Sequence, residues 1–256
     1  MKNIIIKIIQ RRIIEKWLNY FPLSKIAPTD IIIAGFPKSG NTWFQHLLAS
    51  IVFGCNGEYT PDTLVQELIP DVHFKNYFRR YSEVAYFKSH YLPKPEYKKV
   101  IFLIRDGRDA MVSYYHYNKK LGYDTTLTKM VREGDTVFPC MWHIHIQKWL
   151  ENPYKADMIF VRYEDLLNDP LAEMKKVCKF INIERSDAYL EQSIATCSFD
   201  KMSKREKEQG WEGWNKEKTF LRSGKIGDYK KEMIIEDTAF FNQMSAQVLK
   251  HFNYEI

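Results

Sequence analysis

The chain has 256 residues, 45% hydrophobic and 27% charged, which is long enough for a large core and near the upper size of one α/β domain. Its net charge of +6 suits anionic ligands without identifying one, and no nucleic-acid partner is expected. The four cysteines, Cys55, Cys140, Cys178 and Cys197, form no C-x-x-C pair, so neither a zinc site nor a disulfide framework is indicated and a reducing, cytoplasmic setting follows.

Residues 1–21 interleave isoleucines with Lys2, Lys7, Arg11, Arg12 and Lys16, and Ile6, Ile9, Ile13, Trp17 and Tyr20 follow helical spacing. No uninterrupted apolar run approaches the ~20 residues of a bilayer-spanning helix, and no small-residue cleavage site follows. Residues 1–30 therefore read as an amphipathic helical segment packed on a domain spanning 31–256. A second reading is a helix lying on an anionic membrane surface.

Ile31-Ile32-Ile33 predicts a strand buried on both faces. It stops at Gly35, and an apolar helix pattern begins at Trp43, Phe44, Leu47, Leu48 and Ile51. Gly35 and Gly40 are spaced G-x-x-x-x-G, the frame in which backbone N–H groups and a helix N-terminus converge on a phosphate. The nucleoside-triphosphate version has lysine where this chain has Asn41. Thr42 keeps the hydroxyl, and the loop's lysine is Lys38.

Residues 54–82 show no clean period. Val84 to His90 reads as a short strand with Lys88 and His90 on one face if it runs that far. Val100 to Ile104 predicts another buried strand, with Arg105 at its carboxyl end and Ser113 in the helix that follows, so both can face one crevice of an open parallel sheet. Residues 122–137 are expected to loop over the site, and Trp142, Ile146 and Trp149 mark a helix. His143 and His145, two apart, fall on different faces of that helix, so they read as surface or packing residues rather than metal ligands. Met158 to Tyr163 predicts a further strand, Pro170 a first helical turn, residues 203–218 an exposed charged segment, and the stretch around Phe240 and Val248 a core-packing final helix.

The string Pro37-Lys38-Ser39-Gly40-Asn41-Thr42-Trp43 resembles the 5′-phosphosulfate loop of sulfotransferases that use 3′-phosphoadenosine 5′-phosphosulfate (PAPS), whose commoner form has threonine in place of Asn41. Lys88-Ser89-His90-Tyr91-Leu92-Pro93 is similar to the family segment carrying the catalytic histidine. Arg105 and Ser113 resemble its 3′-phosphate site, and Tyr163-Glu164-Asp165-Leu166 its adenine-contacting element. Cys197-Ser198-Phe199-Asp200-Lys201-Met202 resembles a second adenine-contacting segment. Phe220 to Lys230 is similar to the family's glycine-rich carboxyl-terminal segment, although Ser223 replaces the usual lysine beside Arg222 and Gly224, and Tyr229 the tryptophan. These segments stand in the family's order between residues 31 and 231.

The resemblance implies a single α/β domain, a central parallel sheet flanked by helices with a P-loop-like phosphosulfate loop, that moves a sulfuryl group from PAPS to an acceptor hydroxyl or amine without a metal. It implies His90 as general base, Lys38 on the departing phosphate and Lys88 on the sulfuryl oxygens. Ser39, Gly40, Asn41, Thr42, Arg105, Ser113, Arg222, Ser223 and Gly224 would hold phosphates, and Trp43, Tyr163, Ser198, Phe199 and Met202 the adenine. The aromatic residues Phe74, Tyr77, Phe78, Tyr81, Tyr86, Phe87, Tyr123, Phe138 and Trp142 favour an apolar or aromatic small-molecule acceptor. A nucleotide-dependent kinase, or a non-catalytic nucleotide-binding or membrane-surface protein, is the alternative. The kinase reading lacks the loop lysine at Asn41. Lys230 to Thr238 does not match the family's short lysine-threonine-valine dimer motif, and oligomeric state is left open.

Overall fold

A computed structural model describes residues 17–211 and 219–256; most of the segment expected to be an amphipathic helix, residues 1–16, lies outside them, as does Trp214. In chain order the described elements are β1 (Tyr20–Pro22), a 3₁₀ turn (Leu23–Lys25), β2 (Ile31–Gly35), α1 (Asn41–Phe53), α2 (Asp62–Leu68), β3 (Tyr77–Arg79), β4 (Tyr86–Ser89), β5 (Lys99–Ile104), α3 (Gly107–Leu121), α4 (Leu127–Glu133), α5 (Trp142–Glu151), β6 (Asp157–Arg162), α6 (Tyr163–Asn168), α7 (Pro170–Ile181), α8 (Asp187–Thr196), α9 (Phe199–Gln209), α10 (Tyr229–Glu232) and α11 (Ile235–His251). Strands β4, β2, β5 and β6 form, in that order, a parallel sheet, while β1 and β3 pair antiparallel beside it. Tyr20 thus sits in a strand opposite Arg79 and not in the helix that its spacing suggested. A strand partner supplied from 59 residues away outweighs a local period.

Strand alternation sets the two cores. Along β2, Ile32 and Ala34 face one layer, and Ile31 and Ile33 the other; Val100, Phe102 and Ile104 alternate with Ile101 and Leu103 in the same way along β5. Helices α3, α4, α5 and α11 cover the first face, through residues such as Met111, Met130, Trp149 and Val248. Helices α1, α7 and α8 cover the second with Leu47, Val177 and Leu190. Each fully buried aliphatic side chain contributes roughly 1.5–3 kcal/mol, which is why the continuous β-branched run stays central and flanked by helices.

Chain order and register place the site. From β2 the chain passes to β4 on one side, then to β5 on the other, so the crevice opens above the carboxyl end of β2. Ala34 lies opposite Ser89, Gly35 opposite Leu103, and Ile104 opposite Arg162. Phe36, His90, Arg105 and Tyr163, each the next residue along its strand, therefore emerge side by side. Residues 122–137 are not wholly loop: Thr126 caps α4 through the Lys129 N–H, Met130 and Val131 are buried, and Gly134 ends the helix in the left-handed region.

Candidate active site

Backbone geometry shapes the loop after β2. A Cβ on Gly35 would stand 2.5 Å from Asn41 Oδ1 and 2.7 Å from the Leu103 carbonyl, and one on Gly40 would meet the Tyr163 ring at 2.6 Å. Only glycine fits at either position. Gly40 (φ 91°) and Lys38 (φ 69°) both adopt left-handed conformations, and no side chain caps α1. The first N–H groups of a thirteen-residue helix are thereby presented to an anion. Asn41 Nδ2 donates to the Phe36 carbonyl (2.9 Å), tying the loop shut at its base. Buried Ser39 Oγ and Asn41 Oδ1 have no hydrogen-bond partner. The Lys38 ammonium rests over the Tyr117 and Phe220 rings, 4.5 and 4.4 Å from their centroids. Burial brings its pKa down to about 7, with Lys88, Arg105, Lys120 and Arg222 adding to the shift.

His90 follows β4, and its Nδ1 lies 2.8 Å from the Gly35 carbonyl. A carbonyl only accepts, so Nδ1 carries the proton and Nε2 keeps its lone pair. Burial pushes this imidazole down to about 3, Lys88 pushes it further and Asp71 opposes both. The ring is neutral at physiological pH, the form a proton acceptor requires. Its backbone is held twice: the His90 N–H donates to His73 Nε2 (2.8 Å), and His145 Nε2 bonds the His90 carbonyl (3.1 Å). Lys88, two residues earlier, places its ammonium 2.9 Å from Asp71 Oδ2 and 3.3 Å from Thr42 Oγ1.

Arg105 leaves β5 beneath the loop. Its guanidinium donates to the carbonyls of Lys38 (3.2 Å) and Lys225 (2.9 Å) and stacks 4.5 Å from the centre of the Tyr163 ring. Arg105 Nε is buried without a partner. Tyr163 reaches the Gly224 carbonyl with its hydroxyl (3.1 Å) and meets Trp43 edge-on at 5.7 Å, while the Trp43 indole donates to the Cys197 carbonyl (2.8 Å). The carboxyl-terminal segment is pinned over the crevice by Asp109, fully buried on α3, which accepts from the N–H groups of Gly227 (2.7 Å) and Tyr229 (2.9 Å). Arg222 is braced by Asp228 (2.6 Å) and Glu232 (2.9 Å), and Ser223 Oγ donates to the same Asp228 oxygen.

These groups line one cavity of about 940 Å³. Lys38, Gly40, Asn41, Thr42 and Trp43 form its floor with Lys88, His90, Arg105 and Ser113; Tyr163, Phe199, Met202, Arg222, Ser223 and Gly224 form a wall. Ser39 and Ser198 are not among the lining residues: Ser39 is buried beneath the loop, and Ser198 precedes α9 outside the cavity. Among the described residues, no group of three His, Cys, Asp or Glu side chains could hold a metal ion, and no helix is long and apolar enough to cross a membrane.

The family model of the sulfotransferase domain matches residues 28–253. The chain belongs to the sulfotransferase family. An amine sulfotransferase of Oryctolagus cuniculus is 24% identical over 96% of this chain and 87% of its own length, and a cytosolic sulfotransferase of Danio rerio 26% over 88% and 84%. Among solved structures, a retinol dehydratase in complex with androsterone and the inactive cofactor PAP shares the fold with a TM-score of 0.67 at 19% identity, over 91% of this chain and 83% of that one. A mouse sulfotransferase complexed with PAP gives 0.66 at 20% identity, over 87% and 84%.

The sulfotransferase sorts its aromatic residues differently from the sequence expectation. Phe74, Tyr123 and Phe138 line the cavity and stay exposed, whereas Phe78, Tyr86, Phe87 and Trp142 are core residues and Tyr77 and Tyr81 lie away from the cavity. His145 is fully buried and belongs to the support of His90. The segment from residue 203 is not all solvated either: Arg205 and Glu206 are buried, Arg205 donating to the carbonyls of Gly57 (2.8 Å) and Thr60 (2.9 Å) and to His46, whose other nitrogen bonds Asp62. This brace seats α9 and, with it, Phe199 and Met202. Asp71 and His73 are the site residues that sequence reasoning missed, because residues 54–82 carry no period that would have placed them.

Proposed function

We propose that this sulfotransferase takes PAPS as donor and transfers its sulfuryl group to a hydroxyl or amine of a small apolar or aromatic acceptor. The observation that carries the reading is the tautomer fixed by Gly35: His90 presents an unprotonated Nε2 to the same cavity that the Lys38 loop and the α1 N-terminus floor. The unpartnered Nε–H donors of Arg105 and Arg222, both on cavity-lining residues, fit an anionic donor. In this reading His90 Nε2 accepts the acceptor's proton as its oxygen or nitrogen attacks sulfur. Lys38 stabilises charge on the departing 5′-phosphate, and Lys88, held beside Thr42, faces the sulfuryl oxygens. Arg105 and Ser113, with Arg222, Ser223 and Gly224, select the 3′-phosphate, while Trp43, Tyr163, Phe199 and Met202 frame the adenine.

The exposed cavity-lining residues Phe74, Leu121, Tyr123 and Phe138 support an apolar acceptor, and androsterone and retinol, with which the retinol dehydratase is complexed, are of that kind. Exposed Trp17 and Leu18, next to the isoleucine and basic residues of 1–16, support peripheral membrane contact, tested by salt-sensitive co-sedimentation with anionic vesicles. Relatives named cytosolic sulfotransferases support a cytoplasmic location. Sulfate transfer from labelled PAPS to a mixed panel of phenols, sterols and amines, run with and without chelator, tests the function. Label appearing in an acceptor supports it; phosphate transfer from ATP with no sulfate transfer would overturn it.

A further inference from the structure

Among the described residues lining the cavity, Asp71 is the sole carboxylate, against Lys38, Lys75, Lys88, Arg105 and Arg222. It is 1% exposed, and a buried carboxylate where a sulfate anion must arrive is unfavourable unless another group requires it. Two other groups do. Asp71 Oδ2 stands 2.9 Å from Lys88 Nζ, and Oδ1 accepts the His73 N–H (2.9 Å). The backbone reinforces the pairing: residues 70–72 add a parallel bridge at the edge of β4, with the Val72 N–H donating to the Lys88 carbonyl and the Lys88 N–H to the Pro70 carbonyl, both 3.0 Å. His73, fixed by Asp71, then accepts the His90 N–H and stacks 5.4 Å from its ring. One carboxylate therefore underlies both Lys88 and His90.

We propose that Asp71 is a positioning residue for sulfuryl transfer, holding Lys88 as an oriented cation beside Thr42 and, through His73, setting the backbone of His90. The proposal rests on Lys88 facing the sulfuryl group. The groups facing Lys88 are Asp71 and Thr42, with the charges or rings of Lys38, His90, His73 and His46 around them. Asp71 is the carboxylate in that ring that touches it. Burial alone would raise the Asp71 carboxyl; Lys88, His90 and the His73 N–H outweigh it and hold it below the usual carboxylate range.

The test compares the wild-type full chain with Asp71→Asn, which keeps the shape and an acceptor for the His73 N–H, and with Asp71→Glu, which keeps the charge. Affinity for adenosine 3′,5′-bisphosphate, measured by calorimetry, should stay within about threefold in both, reporting an intact fold and donor site. Turnover of PAPS with 2-naphthol should fall on the order of 10–100-fold in Asp71→Asn, Asp71→Glu should recover part of that loss, and Asp71→Asn should add little to Lys88→Ala. A turnover loss in Asp71→Asn that is fully additive with Lys88→Ala, or that Asp71→Glu does not recover in part, overturns the proposal. If Lys88→Ala alone turns over at the wild-type rate, the role of Lys88 has failed rather than its pairing with Asp71. Should Asp71→Asn not fold, Asp71→Glu decides: with bisphosphate affinity intact, its turnover loss must largely disappear in the Lys88→Ala background, and an equal loss there overturns the proposal.

Discussion

In the proposed reading, Lys38 makes donor binding a proton-coupled event. In the free protein, burial and four neighbouring cations bring its pKa from 10.5 down to about 7. Each pKa unit is about 1.4 kcal/mol, so keeping the ammonium in the free site costs up to ~5 kcal/mol, an upper bound because Lys38 is only half-buried and solvent screens part of it. A 5′-phosphate against Lys38 favours the ammonium again. As pH rises through about 7 the free protein loses this proton, and binding must restore it. At about pH 8, adenosine 3′,5′-bisphosphate should therefore bind with an uptake of about 0.9 proton at Lys38, against about 0.1 at pH ~6, and affinity should fall toward tenfold per unit above pH 7. Calorimetry in buffers of different ionisation enthalpy measures the uptake. The difference between wild type and Lys38→Met isolates it, since the ligand's phosphates titrate near ~6. Equal uptake in the two proteins, or an affinity flat from about pH 7 to 9, would refute the reasoning. The free fold feels the same shift with the opposite sign. Above pH 7 the unfolded chain holds the Lys38 proton that the folded chain has lost, so this group's contribution to stability rises with pH up to about 10.5.

His90→Asn should preserve affinity for adenosine 3′,5′-bisphosphate while turnover falls by roughly 10²–10⁴-fold, the usual worth of positioned proton transfer; a folded variant with near wild-type turnover would remove His90 from the chemistry. Adenosine 3′,5′-bisphosphate at a hundredfold excess over its Kd should stabilise the fold by about 2.7 kcal/mol in a thermal-shift assay. Adenosine 5′-phosphate should do far less, and equal shifts would sink the 3′-phosphate role of Arg105 and Ser113. Ser223→Lys, adding a cation beside Arg222 on the cavity wall, should tighten adenosine 3′,5′-bisphosphate by about three- to tenfold without affecting adenosine 5′-phosphate. Equal gains for both nucleotides would place the new charge away from the 3′-phosphate.

Strands and loop were legible because their signals are local. Ile31 to Ile33 and Val100 to Ile104 are buried on both faces, and a parallel sheet asks for that apolar continuity. The helix within 122–137 was also readable in principle, since Thr126 and Gly134 are start and stop residues; the polar residues before Thr126 obscured it. Arg205 and Glu206 were opaque for a different reason. A charge-dense stretch ordinarily faces water, and these two are buried because the Gly57 and Thr60 carbonyls take up Arg205 while the Phe220 and Leu221 N–H groups take up Glu206. Partners brought from ~15 to 150 residues away leave no pattern in the segment itself. The Asp71–Lys88 pair and the His145 support of His90 belong to the same class, set by which segment borders β4 rather than by spacing.

Asn41 shows how one substituted position redistributes a loop's work. In the nucleoside-triphosphate pattern a lysine follows the second glycine; here Asn41 is 3% exposed, bonds the Phe36 carbonyl, and lies where any Cβ on Gly35 would collide with its Oδ1. The space is already filled by a short amide that closes the loop from within, and a lysine would lose that bond and force an ammonium among Lys38, Lys88 and Arg105. Positive charge is carried instead at the apex, where Lys38 accepts a left-handed backbone and the aromatic faces of Tyr117 and Phe220 support its ammonium. In the proposed reaction it meets the phosphate at the edge of the loop, next to Lys88 and His90, rather than from the helix side. That placement suits transfer of the group at the phosphate's outer end, because the cation stabilising the leaving oxygen and the base accepting the acceptor's proton then converge on the same side of the loop.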